Sequence, residues 1–373
     1  MSLGAGSVTG PWLRGERVIP MPAVRRVGGP PIEIRSATRH SLAGVSVDIP
    51  TQALTVVSGV SGSGKSTLIL DLLVGKLQGE PRPVEVTLPA PVVPAARPGD
   101  PPRSAKLAAP RAEPLLLQVI DQSPIGRSPR SSAATYVGVM DPLRKLFAQT
   151  PLARERGWTH SYFTANGGGG ACSVCKGYGS EQVEMHFLSN VWVKCETCHG
   201  RRYAPETLDA RWKGLSIADV LDLRIDDAIE VFAQQRSIRR PLEGLHAVGL
   251  GYVRLGQPAT DLSGGEAQRV KLALGLAEKS SPTLYVLDEP TTGLHLSDIT
   301  RLVTVLDNLV DLGHSVIVVE HHLDLIRHAD FVIDMGPEAG PGGGQIVAAG
   351  TPEHVAGVAN SHTGAALRRS GLG

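Results

Sequence analysis

The sequence predicts an α/β protein in which a parallel sheet carries a phosphate-binding loop, with a helical region and a four-cysteine metal module inserted into the chain. Three observations support this fold class. A glycine-rich loop at 59–66 lies between an apolar strand and a helix. Apolar strands alternate with helical segments after residue 262, and the cysteines form two Cys-x2-Cys pairs.

The composition allows two or three compact units and disfavours some classes of protein. The 373 residues are 42% hydrophobic, and no apolar run approaches the ~20 residues needed to cross a bilayer. The first residues lack the apolar core of a signal peptide, so we expect a cytoplasmic protein whose cysteines bind metal rather than form disulfides. With a net charge of +1, any contact with nucleic acid has to come from a local basic patch.

Short apolar runs predict the strands. Alternating apolar positions recur from Ile32 to Val47, and residues 66–75 predict a helix that is apolar on more than one face. Buried strands are predicted at 53–59, 115–121, 283–290, 314–321 and 331–335, with an amphipathic helix between the third and fourth of them. Continuous apolar strands that alternate with helices indicate a parallel sheet covered on both faces.

The segment GVSGSGKS (59–66) fits the pattern G-x-x-x-x-G-K-[ST] of a phosphate-binding loop. Its glycines let backbone N–H groups close around phosphate oxygens, Lys65 reaches the β- and γ-phosphates, and the Ser66 hydroxyl ligates Mg²⁺. The predicted ATP-binding residues of this loop are Gly59, Ser61, Gly62, Gly64, Lys65, Ser66 and Thr67. A glycine-rich turn without a ligand is the alternative, and the strand before the loop and the helix after it favour the phosphate site.

The strand TLYVLDE (283–289) ends in two carboxylates. We expect Asp288 to hold Mg²⁺ through water and Glu289 to polarise the attacking water as a general base. Strands often end in acids for solubility alone, but a phosphate-binding loop upstream favours the catalytic interpretation.

The segment LSGGEAQRVKLALGLA (262–277) begins with Ser and two glycines and continues as a helix. LSGGE resembles the signature motif of the ABC (ATP-binding cassette) ATPase superfamily, and this resemblance implies that Ser263, Gly264 and Gly265 contact a γ-phosphate held by a partner cassette. An ordinary helix start with Ser263 as N-cap is the alternative. The resemblance further implies a Q-loop role for Gln122, a switch role for His321, and contact across a dimer by TTGLH (291–295).

Cys172-x2-Cys175 and Cys195-x2-Cys198 have the spacing of two zinc knuckles. Four thiolates complete a tetrahedral site without an open position, so the predicted Zn²⁺ is structural. The segment between the pairs, 176–194, alternates enough to form a β-hairpin pinned at its base by the metal. Disulfides or a redox-active Cys-x2-Cys are the alternatives, and His186 and His199 are possible substitute ligands.

A zinc module between the Q-loop and the signature resembles the UvrA family, specifically its second, C-terminal half. The resemblance extends from 32 to 353 apart from 79–114, and its most specific segments are IDQSPIGRSPRSSAATYVGVMDPLRKLFA (120–148), VEMHFLSNVWVKCETCHGRRY (183–203), GLGYVRLGQPATDLSGGEAQRVKLAL (249–274) and LYVLDEPTTGLHLSDI (284–299). It implies an ATPase that binds double-stranded DNA and recognises damage in nucleotide excision repair, without nuclease activity of its own. Because the chain carries one phosphate-binding loop and one signature, we expect it to need a second cassette, either as a homodimer or from a separately encoded first half, and downstream repair proteins as further partners.

These features divide the chain into segments. They are a linker-like segment 1–30, a first part of the ATP-binding core 31–164 with a Pro- and Ala-rich loop at 79–114, the zinc module 165–203, a helical signature region 204–280, a second part of the core 281–356 and a tail 357–373.

A basic cluster supplies candidate contacts to the DNA backbone: Arg127, Arg130, Arg144, Lys145, Arg154 and Arg156. Met185, Phe187 and Trp192 of the hairpin are either further DNA contacts or hairpin core. Two segments depart from the family pattern, namely FTANGGGGAC (163–172), which lacks basic residues, and the loop 79–114.

Three other functions compete with damage recognition. A UvrA-like paralogue could give self-resistance by binding drug-modified DNA, which the altered glycine segment favours. A transporter ATPase subunit is opposed by the zinc module. An inactive interaction module is opposed by the intact Lys65, Ser66, Asp288, Glu289 and His321.

Overall fold

The computed structural model describes residues 7, 9–89, 115–126, 128–183, 191–277 and 281–372. Two compact units divide the chain: Met1–Asp121 with Lys279–Gly373 form the first, and Gln122–Glu278 form the second. The first boundary therefore falls directly before Gln122, whereas the sequence interpretation kept residues up to 164 with the ATP-binding core.

The strands and helices have the following bounds. The strands are β1 (Gly29–Arg39), β2 (Leu42–Thr51), β3 (Leu54–Gly59), β4 (Glu85–Thr87), β5 (Leu116–Ile120), β6 (Ser180–Val183), β7 (Val191–Lys194), β8 (Arg211–Trp212), β9 (Leu215–Ser216), β10 (Thr283–Asp288), β11 (Ser315–Val319), β12 (Phe331–Gly336) and β13 (Gln345–Gly350). The helices are α1 (Gly10–Leu13), a π-helix (Thr67–Val74), α2 (Gly75–Leu77), α3 (Ala133–Tyr136), α4 (Met140–Phe147), α5 (Pro151–Glu155), α6 (Pro205–Leu208), α7 (Ile217–Asp222), α8 (Ile225–Val231), α9 (Arg236–Ala247), α10 (Gly264–Ala277), α11 (Leu296–Asp311), α12 (Leu323–His328), α13 (Pro352–Gly357) and α14 (His362–Arg369), with 3-10 turns at Ala259–Asp261 and Gly340–Gly342.

A six-stranded sheet in the order β13-β12-β3-β11-β10-β5 forms the centre of the first unit. Its five strands from β12 to β5 are parallel, and β13 pairs with β12 in the antiparallel sense. All five residues of β11 are buried, as expected for a strand covered on both faces. The parallel strands confirm the sequence prediction, whereas the antiparallel edge strand was not predicted.

The alternating stretch after Ile32 forms a separate antiparallel sheet. β1 pairs with β2 and β4, and buried Ile32, Ile34 and Ile49 join the core beneath the large sheet. The turn between β1 and β2 contains His40 at a φ of 50°, which reverses the chain beside the glycine-rich loop.

The segment expected to be a helix after the glycine-rich loop is helical, but it is wound in the π form from Thr67 to Val74 before α2 follows. Leu68, Ile69 and Leu72 are wholly buried in the core. This burial agrees with the predicted apolar coverage on more than one face, and nothing in the sequence indicated the wider turn.

The segment before β1 is anchored on the first unit. Arg26 forms ion pairs with Asp307 at 2.9 Å, Asp311 at 2.8 Å and Asp330 at 3.2 Å. Ile19 is 5% exposed. Within the segment 1–30 that the sequence interpretation called linker-like, Ile19 and Arg26 are thus attached to the first unit, while Val24 and Val27 are exposed.

A buried histidine reinforces this anchor. His328 Nδ1 lies 2.8 Å from the Pro20 carbonyl oxygen, and its Nε2 lies 2.8 Å from Asp307 Oδ2. Burial alone would lower the pKa of His328, but the hydrogen bonds to Asp307 and Pro20 outweigh it and raise that pKa. This contact therefore stabilises the fold most below the ordinary pKa of histidine and weakens as pH rises through the raised value.

The second unit contains the helices from α3 to α10 and two short hairpins. Its core holds Phe147, Phe163, Tyr203 and Phe232, each wholly buried, and the Tyr203 hydroxyl donates to the Phe163 carbonyl at 3.0 Å. α9 packs against α8 and α10. Among the described residues, no helix combines the length and the apolar character that a membrane span requires.

The carboxylates around Arg26 give a test of this anchor. The Asp330 side chain is 1% exposed and also accepts from the backbone N–H of Leu54 at 2.9 Å. Asp330→Ala leaves that N–H and part of the Arg26 guanidinium without a partner, so we expect the free energy of unfolding to fall by about 3 kcal/mol. The matched Asp311→Ala change removes a side chain that is 62% exposed, and we expect a loss below about 1 kcal/mol. Denaturant titration measures both, and equal losses would contradict the anchor.

Candidate nucleotide and metal sites

The glycine-rich loop takes its shape from the end of β3. Gly59 has a φ of 134°, and a Cβ at this position would lie 2.0 Å from the Met335 carbonyl oxygen. Gly62 and Gly64 also have positive φ values, 79° and 101°. Side chains are strongly disfavoured at these backbone angles, so the loop depends on its glycines.

Lys65 closes back on the loop that precedes it. Its Nζ donates to the carbonyl oxygens of Gly59 and Val60, each at 2.9 Å. Burial lowers the pKa of Lys65, while the nearby carboxylates of Glu289, Asp334 and Asp288 oppose this shift. An anion bound in the loop would favour the charged ammonium in the same way as these carboxylates do.

A pocket of about 560 Å³ lies over the loop. Seven of the predicted residues line it: Ser61, Gly62, Gly64, Lys65, Ser66, Thr67 and Glu289. Gly59 and Asp288 do not. Four lining residues were missed from the sequence, namely His40, Ser41, Gly340 and Pro341. They come from two turns distant in sequence, and the glycine-rich stretch after residue 339 was the only available signal for the second.

The two predicted carboxylates lie where β10 ends. Burial raises the pKa of Asp288, the carboxylates of Glu289, Asp121 and Glu320 add to this shift, and Lys65 opposes it. Glu289 shares the pocket with the Ser66 hydroxyl. Crowded carboxylates and a hydroxyl form a donor set that suits Mg²⁺, whose charge would relieve the repulsion among the acids.

His321 lies beside Glu289, with 4.0 Å between His321 Nδ1 and Glu289 Oε1. Both side chains are accessible: that of His321 is 67% exposed and that of Glu289 is 48% exposed. The structure thus brings together the predicted general base and the predicted switch histidine.

Glu320, which the sequence interpretation missed, lies directly beneath this pair. Its side chain is wholly buried and accepts hydrogen bonds from Thr291 and from the backbone N–H groups of His321 and His322. An acid at the end of an otherwise apolar strand was the available signal.

The predicted signature begins with a capping box in the second unit. Ser263 Oγ accepts from the Glu266 backbone N–H at 3.2 Å, and Glu266 Oε2 accepts from the Ser263 N–H at 2.8 Å. Ser263 therefore caps the first turn of α10. Gln122 packs against the same turn, because a Cβ on Gly264 would lie 3.3 Å from the Gln122 Cβ. The γ-phosphate contacts of Ser263, Gly264 and Gly265 stay predictions.

The four cysteines form one buried cluster. The Sγ atoms of Cys172, Cys175, Cys195 and Cys198 all lie within 4.8 Å of one another. The thiols are free, and Cys175 Sγ and Cys198 Sγ are 3.6 Å apart, well beyond the ~2.05 Å of a disulfide bond. Burial raises the pKa of the Cys175 thiol to about 12, and the thiols of Cys198 and Cys172 add to this. Four sulfur donors this close together fit Zn²⁺, whose charge would stabilise the thiolates.

Antiparallel β6 and β7 form the predicted hairpin above the cluster. Trp192 is 45% exposed and stacks on Tyr178 with ring centroids 5.6 Å apart, and the Arg130 guanidinium lies 4.2 Å from the centre of the Tyr178 ring. Met185, His186 and Phe187 lie outside the described residues. His199 is exposed and does not belong to the cysteine cluster.

The predicted basic cluster is only partly exposed. Arg144 is half-buried, donates to Thr164 Oγ1 at 3.0 Å and pairs with Asp141. Lys145, Arg154 and Arg156 are exposed. Arg127 lies outside the described residues.

The chain is similar in sequence and in structure to several known proteins. The family described as "ABC transporter" matches residues 182–292. UvrABC system protein A from Micrococcus luteus is 52% identical over 366 residues, covering 96% of this chain and 35% of that protein. The homologue from Bacillus subtilis (strain 168) is 49% identical, covering 97% of this chain and 37% of that protein. The crystal structure of UvrA2 from Deinococcus radiodurans superimposes with a TM-score of 0.86 at 44% identity, over 98% of this chain and 42% of that one. The chain thus spans about a third of the length of the curated relatives it matches.

The cysteine cluster can be tested by its metal content. Cys195→Ser replaces a wholly buried thiol with a weaker ligand, so we expect bound zinc to fall from about one per chain to less than half of that. Ser173→Ala changes an exposed residue between two of the cysteines and serves as the control. Elemental analysis of both purified variants measures the zinc. Full zinc content in the Cys195 variant would contradict the assignment of this thiol as a ligand.

Proposed function

This chain is homologous to one part of the UvrA proteins over 96–98% of its own length, and from that premise we propose that it is an ABC-type ATPase that acts on DNA in nucleotide excision repair. The observation that carries the ATPase proposal is the pocket that brings Lys65 and Ser66 together with Glu289. Those three residues supply a phosphate-binding cation, a hydroxyl ligand for Mg²⁺ and a base for water.

We assign the following roles in ATP hydrolysis to the residues of the site. Backbone N–H groups of the glycine-rich loop and Lys65 hold the triphosphate, while Ser66 and Asp288 hold Mg²⁺. Glu289 takes the proton of the attacking water, and His321, 4.0 Å from Glu289, senses the γ-phosphate. Mg²⁺ supplies charge neutralisation on the phosphates when it is bound.

Two cassettes are needed to complete each ATP site in this proposal. The chain carries one LSGGE segment, which in ABC ATPases contacts the nucleotide of a partner cassette. Ser61 and Glu289, which line the pocket over the glycine-rich loop, are both exposed to solvent. We therefore propose that Ser263, Gly264 and Gly265 act on the nucleotide of a second cassette, while Gln122 couples nucleotide binding to the rest of the protein.

Double-stranded DNA is the proposed macromolecular ligand. Exposed Lys145, Arg154 and Arg156 offer positive charge for phosphates. The stacked Trp192 and Tyr178 with the adjacent Arg130 form a second candidate contact surface on the hairpin that the zinc site braces. Recognition of damage would follow from the way a distorted duplex meets these two surfaces.

The phosphate-binding loop gives the first test of this function. Lys65→Ala removes the cation from the pocket, and we expect ATP turnover to fall by at least about 100-fold because its interaction with the γ-phosphate is lost in the transition state. Lys76→Ala removes an exposed lysine of α2, which does not line the pocket, and should leave turnover within about twofold. Steady-state phosphate release measures both variants. Full turnover in the Lys65 variant would overturn the assignment of the pocket.

Pairing of cassettes gives the second test. If the site is completed by another copy of this chain, specific ATPase activity should rise steeply with protein concentration and then level off. Undamaged and damaged duplexes, added at a fixed protein concentration, should change this activity to different extents. Activity that is independent of concentration would contradict self-pairing, and a complete absence of any effect of DNA would contradict the DNA-binding proposal.

A further inference from the structure

Glu320 connects two loops of the candidate ATP site through one carboxylate. Its Oε2 accepts from the backbone N–H of Thr291 at 3.2 Å and from the Thr291 hydroxyl at 2.7 Å. Its Oε1 accepts from the backbone N–H groups of His321 at 2.7 Å and His322 at 3.0 Å. Each oxygen therefore holds a different loop, and the acceptor positions of both are filled.

The environment of this carboxylate makes its contacts costly to lose. The Glu320 side chain is wholly buried, so water cannot replace a lost donor. A buried carboxylate that accepts several N–H and O–H groups is held in one orientation. Movement of either loop therefore has to shift the carboxylate or break two of its hydrogen bonds.

The two loops carry the residues that the proposed hydrolysis needs. Thr291 follows Glu289 by two residues, and Glu289 has a φ of 43°, a left-handed conformation that costs a non-glycine residue of order 1 kcal/mol or more. The Glu289 N–H donates to the Val319 carbonyl at 2.9 Å, directly before Glu320. The hydrogen bonds to Thr291 hold the chain on the other side of this strained residue.

His321 depends on the same carboxylate. Its backbone N–H is held by Glu320 Oε1, and its Nδ1 lies 3.4 Å from that oxygen and 4.0 Å from Glu289 Oε1. The imidazole is 67% exposed, and no closer side-chain partner fixes it in the described part of the chain. Glu320 therefore holds the backbone position from which the imidazole extends toward Glu289.

We propose that Glu320 is a positioning residue that makes His321 respond to the loop 289–295. A displacement of Thr291 is passed through the carboxylate to the backbone of His321 and His322, so that the general base and the histidine are aligned or misaligned together. This inference rests on the proposed ATPase function and adds a route by which a contact at the loop 291–295 controls hydrolysis.

Glu320→Gln tests the proposal because the Gln side chain has nearly the same shape as Glu but replaces one acceptor oxygen with an NH₂ donor. The amide oxygen of Gln can accept from only one of the two loops, and its NH₂ group then faces N–H donors on the other. We expect kcat for ATP to fall about 10-fold or more, while the affinity for a non-hydrolysable ATP analogue changes less than about twofold. Thr291→Val removes only the hydroxyl donor and should give a smaller loss of kcat in the same direction.

The double variant separates positioning from a general effect on stability. If Glu320 acts through His321, Glu320→Gln should add less than about twofold to the loss of kcat already caused by His321→Ala. Asp330→Asn is the matched control, because Asp330 is also a buried carboxylate of the first unit and accepts from the backbone N–H groups of Arg26 and Leu54. It should lower thermal stability to a similar extent and leave kcat within about twofold.

Hydrogen exchange supplies a readout that does not depend on turnover. In Glu320→Gln, the amides of Thr291, or those of His321 and His322, should exchange at least about 10-fold faster, while the amides within β11 stay protected. Unchanged exchange at all three amides, or fully additive losses of kcat in the double variant, would overturn the proposal. If the wild-type chain binds and hydrolyses no ATP, the proposed function fails, and the exchange result alone then decides whether Glu320 couples the two loops.

Discussion

The parallel pairing of β3, β11 and β10 is the constraint on which the candidate ATP site depends. Val57 pairs with Val319, and Val319 pairs with Asp288, so three strands end at the same level of the sheet. The glycine-rich loop, the two acids and His321 all follow from those ends. Residues more than 200 positions apart therefore meet because backbone hydrogen bonds fix the register of the strands. The register determines where the site lies, and the side chains at the strand ends determine what it can bind.

The sequence was informative where local chemistry decides the structure. The continuous apolar strands and the paired cysteines follow from short stretches of sequence, and both were predicted correctly. The cysteine cluster is the clearest case, since two knuckles with matching spacing have few ways to meet other than around one metal.

The features that were not predicted from the sequence depend on packing between segments that are distant in the chain. His40 and Pro341 line the pocket because two distant turns meet there, and no local pattern marks either as a pocket residue. Arg26 falls in the segment that was predicted to be linker-like, whereas in the structure it pairs with three carboxylates from distant parts of the chain. Glu320 was overlooked because an acid at a strand end is usually solvent-exposed, whereas here two loops fold over it and exclude water entirely.

At Gly59, a local sequence motif and a long-range packing contact both require glycine. It was predicted as part of the phosphate-binding loop, yet it does not line the pocket, and its missing side chain makes room for the Met335 carbonyl of β12. A descendant of this chain that had abandoned nucleotide altogether would still be unable to accept alanine there without separating two strands of its sheet. The packing of the sheet thus requires glycine at this position whether or not nucleotide is bound. Its presence in a diverged copy would therefore not show that the copy still hydrolyses ATP.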